Sequence, residues 1–157
     1  LIIPFRDESG EVFAYQGRAF GNEQPKYITI KIDEDRDKIF GLDKVDKSKP
    51  ILVVEGPLDS LFLDNCIAVA GADFSNIEGD LTVIYDNEPR NKEINKQIEK
   101  TIDQGKSVCL WPDHMKEKDI NDMIIAGYSK KEVQEIITNN TFSGASAKLR
   151  FAEWRRI

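Results

Sequence analysis

Four consecutive aliphatic residues, Ile51-Leu52-Val53-Val54, constrain the fold of this chain more than any other segment. A run this short suits a β-strand that is buried on both faces, and such strands occur in parallel sheets covered by crossover helices. Similar apolar runs recur further along the chain, with helical patterns between them. The predicted strands after the first run are residues 67–70, 81–85 and 107–111.

The longest helical pattern lies between the third and fourth of these runs. Ile94, Ile98 and Ile102 recur at intervals of four residues with charged residues between them, which predicts an amphipathic helix over 91–104 that ends at Gly105. Shorter helices are predicted over 57–63, 119–126 and 130–137. The resulting order, β-α-β-β-α-β-α-α, predicts an α/β fold with a mostly parallel central sheet and helices on both of its faces.

The N-terminal third follows a different pattern. Residues 1–5 and 11–18 flank a turn signal and predict a β-hairpin, and residues 26–32 alternate like a further strand. After residue 143 the chain is basic and helical in character. We therefore divide the chain into a β-rich segment (1–49), an α/β domain (50–140) and a basic helical tail (141–157).

Composition excludes several classes of protein. The chain has 157 residues with 28 acidic and 22 basic side chains, and its net charge of -6 argues against nucleic-acid binding through bulk charge alone. No apolar run approaches the roughly 18 residues of a membrane span, so we expect no membrane association. Cys66 and Cys109 are too few for a zinc ribbon or a disulfide framework. Both lie in apolar runs, so we expect buried, reduced thiols in a cytoplasmic protein. Because the chain begins at Leu1, we also expect it to be a fragment of a longer protein.

Carboxylates follow the predicted buried strands. Glu55 comes directly after the first strand, Asp86 after the third, and Glu88 two residues later. Because ligands of parallel sheets bind beyond the carboxyl ends of the strands, we expect these side chains at one edge. Clustered carboxylates repel each other, and a hard divalent cation such as Mg²⁺ or Mn²⁺ relieves the repulsion. Asp59 and Asp119 are further candidates, although capping of a helix N-terminus is an alternative for Asp119.

Three motifs at these positions resemble the Toprim domain. The strand that ends in Glu55-Gly56, with Asp59 one turn later, resembles the first Toprim motif. Asp86-Asn87-Glu88 resembles the second motif, which is normally Asp-x-Asp, so Glu88 stands where most members have Asp. The segment Lys118-Asp119-Ile120-Asn121-Asp122 resembles the Lys-Asp-x-(Asp/Asn) segment of primases, and Asn121 stands where bacterial primases often have Asp.

The N-terminal third narrows the resemblance to DnaG-type DNA primases. Residues 3–7, 17–18, 21–22 and 25–27 resemble the segment that precedes Toprim in bacterial and phage primases. The sequence Asp86-Asn87-Glu88-Pro89-Arg90 is most similar to the corresponding segment in primases of T-even-like phages. The resemblance covers roughly residues 1–140, without the zinc ribbon that primases carry upstream. It implies a Toprim fold preceded by a small β-rich subdomain.

The resemblance also implies an activity, which is the metal-dependent synthesis of short RNA primers on single-stranded DNA during phage DNA replication. This nucleotidyl transfer uses NTPs and Mg²⁺ or Mn²⁺, with about two ions in the site. The implied partners are single-stranded DNA, NTPs and the replicative helicase. The implied catalytic residues are Glu55, Asp86 and Glu88; the metal ligands are these three with Asp59 and Asp119; the nucleotide- or DNA-binding residues are Arg18, Lys26 and Arg90.

Some assignments stay open at the level of sequence. Tyr27 is expected in the core, with stacking on a nucleotide base as the alternative. The tail interleaves Lys148, Arg150, Arg155 and Arg156 with Phe151 and Trp154. We expect this segment either to contact nucleic acid or the replicative helicase or to form a solvated amphipathic helix. The same carboxylates would also serve a Toprim nuclease, in which water is the nucleophile. A non-catalytic replisome module is a third possibility.

Overall fold

Two β-sheets and their helices make up the fold in a computed structural model, which describes residues 1–22, 24–71, 74 and 77–156. The strands are β1 (Ile2–Arg6), β2 (Val12–Arg18), β3 (Tyr27–Lys31), β4 (Ile51–Val54), β5 (Cys66–Ala68), β6 (Leu81–Ile84), β7 (Ser107–Cys109) and β8 (Thr141–Phe142). The helices are α1 (Pro57–Ser60), α2 (Lys92–Asp103), α3 (Ile120–Ile125), α4 (Lys130–Asn139) and α5 (Gly144–Trp154). Ile157, the last residue of the predicted tail, lies outside the described residues.

The central sheet has the strand order β5-β4-β6-β7-β8, in which every pair is parallel except β7 with β8. All residues of β4 and β6 are buried, as expected for strands covered on both faces. The predicted order of strands and helices from β4 to α4 is confirmed. So is the predicted fold class, because a mostly parallel sheet is preceded by a small antiparallel sheet, β1-β2-β3.

Helices cover both faces of the central sheet. On one face, Val54 and Ile84 pack with Met123 of α3 and Val133 of α4. On the other face, the isoleucine stripe of α2 packs with Val108 of β7 and with α5. This layered packing leaves the carboxyl ends of the parallel strands as the open edge of the sheet.

The two sheets meet at a short apolar contact. Phe40, in the segment after β3, pairs with Ala68 through two backbone hydrogen bonds of 2.7 and 3.0 Å. Leu58 of α1 and Ala70 pack against the buried side of the small sheet, where Phe5 lies. The small sheet is therefore held beside the carboxyl edge of β4 and β5. The division at residue 49/50 stays a prediction.

The predicted tail differs from expectation at its first two residues. Thr141 and Phe142 form an edge strand of the central sheet rather than part of a helix, because they pair with Val108 and Cys109 of β7. Helix α5 does follow, but Phe151 and Trp154 are buried against α2. The two rings therefore form the buried face of an amphipathic helix, while Lys148, Arg150 and Arg156 are exposed. A contact of these basic residues with nucleic acid or the helicase stays a prediction.

Two further findings concern the thiols and the membrane. Cys109 is buried as predicted, but Cys66 is only partly buried because β5 is an edge strand of the sheet; both are free thiols. Burial raises the pKa of both thiols. Across the described part of the chain, no helix has the length and apolarity needed to cross a membrane.

Candidate active site

Four carboxylates line one cleft of about 480 Å³ at the open edge of the central sheet. Strands β4 and β6 are parallel with Val53 opposite Val83, so both chains leave the sheet on the same side. The residues that follow them therefore come together, as the sequence predicts. We call this set the acidic edge; it consists of Glu55, Asp59, Asp86 and Asp119.

Asp59 is positioned by the turn between β4 and α1. The backbone amide of Asn121 donates a hydrogen bond of 2.9 Å to its Oδ1. On the other side, a Cβ atom on Gly56 would lie only 2.5 Å from Asp59 Oδ2. Pro57 begins α1 directly after this glycine. The absence of a side chain at residue 56 therefore lets the Asp59 carboxylate lie against the backbone at the floor of the cleft.

Asp119 has two roles in the structure. Its side chain caps α3 by accepting a 2.7 Å hydrogen bond from the backbone amide of Asp122, which is the alternative the sequence left open. The residue also lines the cleft, so capping does not remove it from the acidic edge.

Lys118 connects Asp86 to Glu88. Its Nζ atom lies 3.4 Å from Asp86 Oδ2 and 3.8 Å from Glu88 Oε2. Glu88 also accepts a hydrogen bond of 3.2 Å from the amide of Asn91, which caps α2. From sequence, Lys118 is recognisable only as part of a motif. Its single positive charge partly compensates the two negative charges of the Asp86 and Glu88 pair.

Asn87, between the two acidic residues of that pair, fixes the loop that carries Lys118. Its backbone amide donates to Lys118 O at 2.7 Å, and its side-chain amide donates to Met115 O and Glu117 O at 3.1 Å. The sequence predicted no role for this residue, because its partners are about 30 positions away along the chain.

The acidic edge is short of positive charge. The pKa of Asp59 is raised to about 6, mainly by burial; the Asn121 amide opposes the shift, and the charges of Asp119 and Asp86 contribute to it. Burial also raises the pKa of Asp86; Lys118 opposes this rise, whereas Glu55 and Asp119 add to it. Both shifts disfavour the ionised carboxylates, so an added cation would stabilise their charged forms.

The donor set suits a hard divalent cation, because it consists of carboxylate oxygens alone. The Lys118 ammonium between Asp86 and Glu88 already acts as a monovalent counter-charge. Among the described residues, however, no three Asp, Glu, His or Cys side chains converge closely enough to form a finished metal site. The residues therefore have the donor atoms and the negative charge that a divalent cation needs, but they do not surround a preformed binding site.

The other side of the cleft is neutral to basic and comes from the N-terminal third of the chain. We call it the opposite wall; it consists of Gln16, Lys26, Tyr27, Thr29 and Lys38. Tyr27 is 42% exposed, so its predicted place in the core is wrong. The reason is that β3 is an edge strand of the small sheet. Arg18 Cζ and Lys26 Nζ lie 5.6 and 5.8 Å from the centre of its ring.

Lys38 is a member of the cleft that sequence reasoning missed. It lies in a charged segment without periodicity, which gave no structural signal. The structure positions it through its neighbours, since Ile39 is buried in the core and Phe40 pairs with Ala68. A basic residue just before two apolar ones was the only available hint.

The remaining predicted residues lie around the cleft rather than in its lining. Glu88 contacts Lys118, and Arg18 contacts the ring of Tyr27; Lys118 and Tyr27 both line the cleft. Arg90 is exposed, two residues beyond Glu88 and before the start of α2. The predicted residues that line the cleft are Glu55, Asp59, Asp86, Asp119 and Lys26.

Comparison with solved structures places this architecture among the catalytic cores of DnaG-type primases. The chain superimposes on the Aquifex aeolicus primase (zinc-binding and RNA polymerase domains) with a TM-score of 0.67 at 22% identity, covering 90% of this chain and 40% of that one. It superimposes on a DnaG primase catalytic domain bound to single-stranded DNA with a TM-score of 0.62 at 19% identity, covering 90% and 51%. These similarities show a shared fold.

Sequence comparison gives a particular relative. The chain is homologous over its whole length to the DNA primase of enterobacteria phage T4, with 36% identity over 169 aligned residues. It spans 48% of that relative, or about half of its length. No family model matches the chain.

Proposed function

We propose that this chain is the catalytic core of a DNA primase, which synthesises short RNA primers on single-stranded DNA in a metal-dependent nucleotidyl transfer. The observation that carries the proposal is the single cleft in which the acidic edge faces the opposite wall. The homology to the phage T4 DNA primase supports it. A site that brings a cation and a triphosphate together needs charges of both signs on facing sides.

Glu55 and Asp86 are the proposed principal metal ligands, with Glu88, Asp59 and Asp119 beside them. A bound Mg²⁺ or Mn²⁺ ion, or a pair of ions, would neutralise the triphosphate and lower the pKa of the attacking 3′-hydroxyl. Glu88 shares Lys118 with Asp86, so a cation that binds Asp86 would compete with Lys118 for that carboxylate.

The opposite wall is the proposed nucleotide and template side. Lys26 and Lys38 face the acidic edge across the cleft and attract phosphate groups. Tyr27 is exposed at the same place and offers an aromatic ring on which a base can stack, with the Arg18 and Lys26 side chains near it. Arg90 is a proposed contact to nucleic acid further along the surface.

The proposed partners are single-stranded DNA, NTPs and the replicative helicase. A DnaG catalytic domain of the same fold has been solved with single-stranded DNA, which supports the first of these. We assign the protein to the cytoplasm, in keeping with the free thiols of Cys66 and Cys109. In helix α5, Lys148 pairs with Asp103 and Arg150 pairs with Glu153. A helicase that binds these two basic residues would have to compete with their acidic partners within the chain.

The test is a titration of Mn²⁺ with and without ATP, on the chain itself and on Asp86→Ala. We expect ATP to bind only with metal, and Asp86→Ala to weaken Mn²⁺ and ATP binding together. Asp103→Ala, which removes a carboxylate at the end of α2, is the matched control and should bind normally. Metal binding without any effect of ATP would favour a nuclease, and unaltered binding by Asp86→Ala would refute the metal assignment.

A further inference from the structure

Gln16 is a buried side chain with an unmet hydrogen-bonding requirement. It lies on β2 with only 6% of its surface exposed, and it lines the cleft. Its Nε2 atom lies 3.4 Å from Thr29 Oγ1, whereas its Oε1 atom has no hydrogen-bond partner among the described residues. A buried carbonyl without a partner costs free energy, so a ligand that donates a hydrogen bond to it gains more than the usual amount.

The same conclusion holds if the two ends of the carboxamide are exchanged. Oε1 would then accept from the Thr29 hydroxyl, and Nε2 would be the end without a partner. In either orientation Gln16 and Thr29 form one neutral polar pair, and the end of the Gln16 carboxamide that has no hydrogen-bond partner belongs to a residue of the cleft lining. This pair differs from the rest of the lining, in which charged side chains dominate.

Neutral donors and acceptors suit the uncharged part of a nucleotide, because lysines and metal-bound carboxylates serve its phosphates. A primer-synthesising site must accept nucleotides with different bases, so a fixed amide that reads one base would hinder it. The ribose is the uncharged part that all NTPs share. Its 2′-hydroxyl can both donate and accept a hydrogen bond, and it is the group that distinguishes RNA from DNA precursors.

We propose that the Gln16 carboxamide, held by Thr29, binds the ribose 2′-hydroxyl of the nucleotide and thereby selects ribonucleotides over deoxyribonucleotides. The inference rests on the proposed function and adds the residue that determines sugar specificity. A deoxyribonucleotide leaves the buried carboxamide unpaired. Sites built to pair with a substrate hydroxyl reject the analogue that lacks it for this reason.

The experiment measures the affinity of the full chain for ATP, 2′-deoxy-ATP and 2′-fluoro-2′-deoxy-ATP in the presence of Mn²⁺. We expect ATP to bind at least about tenfold more tightly than either analogue, the size of one hydrogen bond to a desolvated group. Gln16→Met, which keeps the length of the side chain but removes the carboxamide, should weaken ATP binding about tenfold. It should leave the affinity for 2′-deoxy-ATP unchanged, so that the preference disappears.

Asn95→Leu is the matched control. Asn95 also has a buried carboxamide oxygen without a hydrogen-bond partner among the described residues, but it lies on α2 away from the lining of the cleft. This variant should keep the full preference for ATP. Thermal melting of Gln16→Met checks its fold, and we expect little change in stability, because the variant loses one long hydrogen bond of 3.4 Å to Thr29 but also removes a buried oxygen without a partner.

The outcomes separate this inference from the proposed function. If the unaltered chain binds no ATP with metal, the proposed function fails and the inference fails with it. If the chain binds ATP but binds 2′-deoxy-ATP equally well, the inference alone is wrong. An unchanged preference in folded Gln16→Met also overturns it. The comparison of ATP with its 2′-fluoro analogue needs no variant, so the inference remains testable if Gln16→Met does not fold.

Discussion

The acidic edge and the opposite wall face each other across one cleft but are built in different ways. The acidic edge is attached to strands β4 and β6, which are buried on both faces. The opposite wall is attached to a three-stranded sheet whose outer face exposes Ile28 and Ile30. Glu55 and Asp86 therefore follow strands that are covered on both faces, whereas Gln16, Tyr27 and Thr29 lie on a sheet with a single buried face. Lys26 directly precedes β3, and Lys38 follows it, next to the contact of Phe40 with Ala68.

This difference fits the separate tasks that we propose for the two sides. Metal ligands need fixed positions, because Mg²⁺ demands near-octahedral geometry. A surface that follows template and NTP needs charge and a stacking ring more than a fixed geometry. We therefore expect substitutions in the acidic edge to impair metal binding and catalysis, and substitutions in the opposite wall to impair the binding of nucleotide and DNA.

Asp86→Asn should produce the largest effect. It removes one charge from the centre of the acidic edge while keeping the size of the side chain, and primer synthesis should fall at least about 100-fold. Thermal stability in chelator should be unchanged or slightly higher, because repulsion with Glu55 and Asp119 is relieved. Primer synthesis assays and melting curves check both expectations. Asp103→Asn is the control, and full activity of Asp86→Asn would refute the assignment.

Lys26→Ala tests the opposite wall and should act on affinity rather than on metal binding. We expect about tenfold weaker binding of ATP or single-stranded DNA, and a salt dependence that is less steep by about one unit. Mn²⁺ binding without nucleotide should stay normal. Lys131→Ala removes the same charge from α4, where the side chain is exposed and pairs with Glu135. Equal effects of the two variants would mean that Lys26 contributes only to the overall charge of the protein.

The acidic edge was predictable from sequence because its position depends on local pattern. Glu55 and Asp86 follow short apolar runs that are typical of buried strands, and parallel pairing brings their ends to one edge. Asp59 and Asp119 were further candidates from the same pattern, and the structure places both in the same cleft.

The opposite wall was only partly predictable, because it depends on how the small sheet docks against the central one. Lys26 was found by resemblance, whereas Lys38 and Gln16 were missed. Lys38 is placed by the pairing of Phe40 with Ala68, a contact between distant residues that no local pattern reveals. In the sequence, Gln16 is one polar residue within a predicted strand. Only the three-dimensional structure shows that its Oε1 atom is buried without a hydrogen-bond partner among the described residues.

Gly56→Ala and Gly17→Ala compare the same change on the two sides. Gly56 has φ -94° and ψ 131°, which alanine adopts freely, so the fold should be retained. The new Cβ, however, would lie 2.5 Å from Asp59 Oδ2 and push that carboxylate away from Asn121. At Gly17 the new Cβ meets only Ile28 O, at an ordinary 3.7 Å.

We therefore expect Gly56→Ala to weaken Mn²⁺ binding by roughly three- to tenfold, a change of about 1 kcal/mol, while Gly17→Ala leaves it unchanged. Calorimetric titration of both variants gives the answer, and circular dichroism checks that they fold. Normal Mn²⁺ affinity in Gly56→Ala would show that Asp59 is not needed at the metal, although it lines the cleft.

The smallest expected effect is a pH-dependent gain of stability in Asp59→Asn. The pKa of Asp59 is raised from 3.8 to about 6 in the folded chain, so folding favours its protonated form. This stabilising contribution is fully present below pH 4 and is lost as the pH rises through 6. The asparagine variant cannot ionise, and its amide oxygen can still accept the hydrogen bond from the Asn121 amide.

The stability difference between variant and parent should therefore grow between about pH 4 and pH 6 and then level off. The pKa shift, reduced for the partial exposure of the carboxylate, corresponds to about 1 kcal/mol at pH 7. Urea unfolding in chelator at pH 4 and pH 7 measures it. Adding Mg²⁺ at pH 7 should stabilise the parent more than the variant, since a bound cation removes the cost of the Asp59 charge. A difference that is the same at both pH values would show that the Asp59 carboxylate carries no electrostatic strain, and that the charge shortage of the acidic edge lies at Asp86.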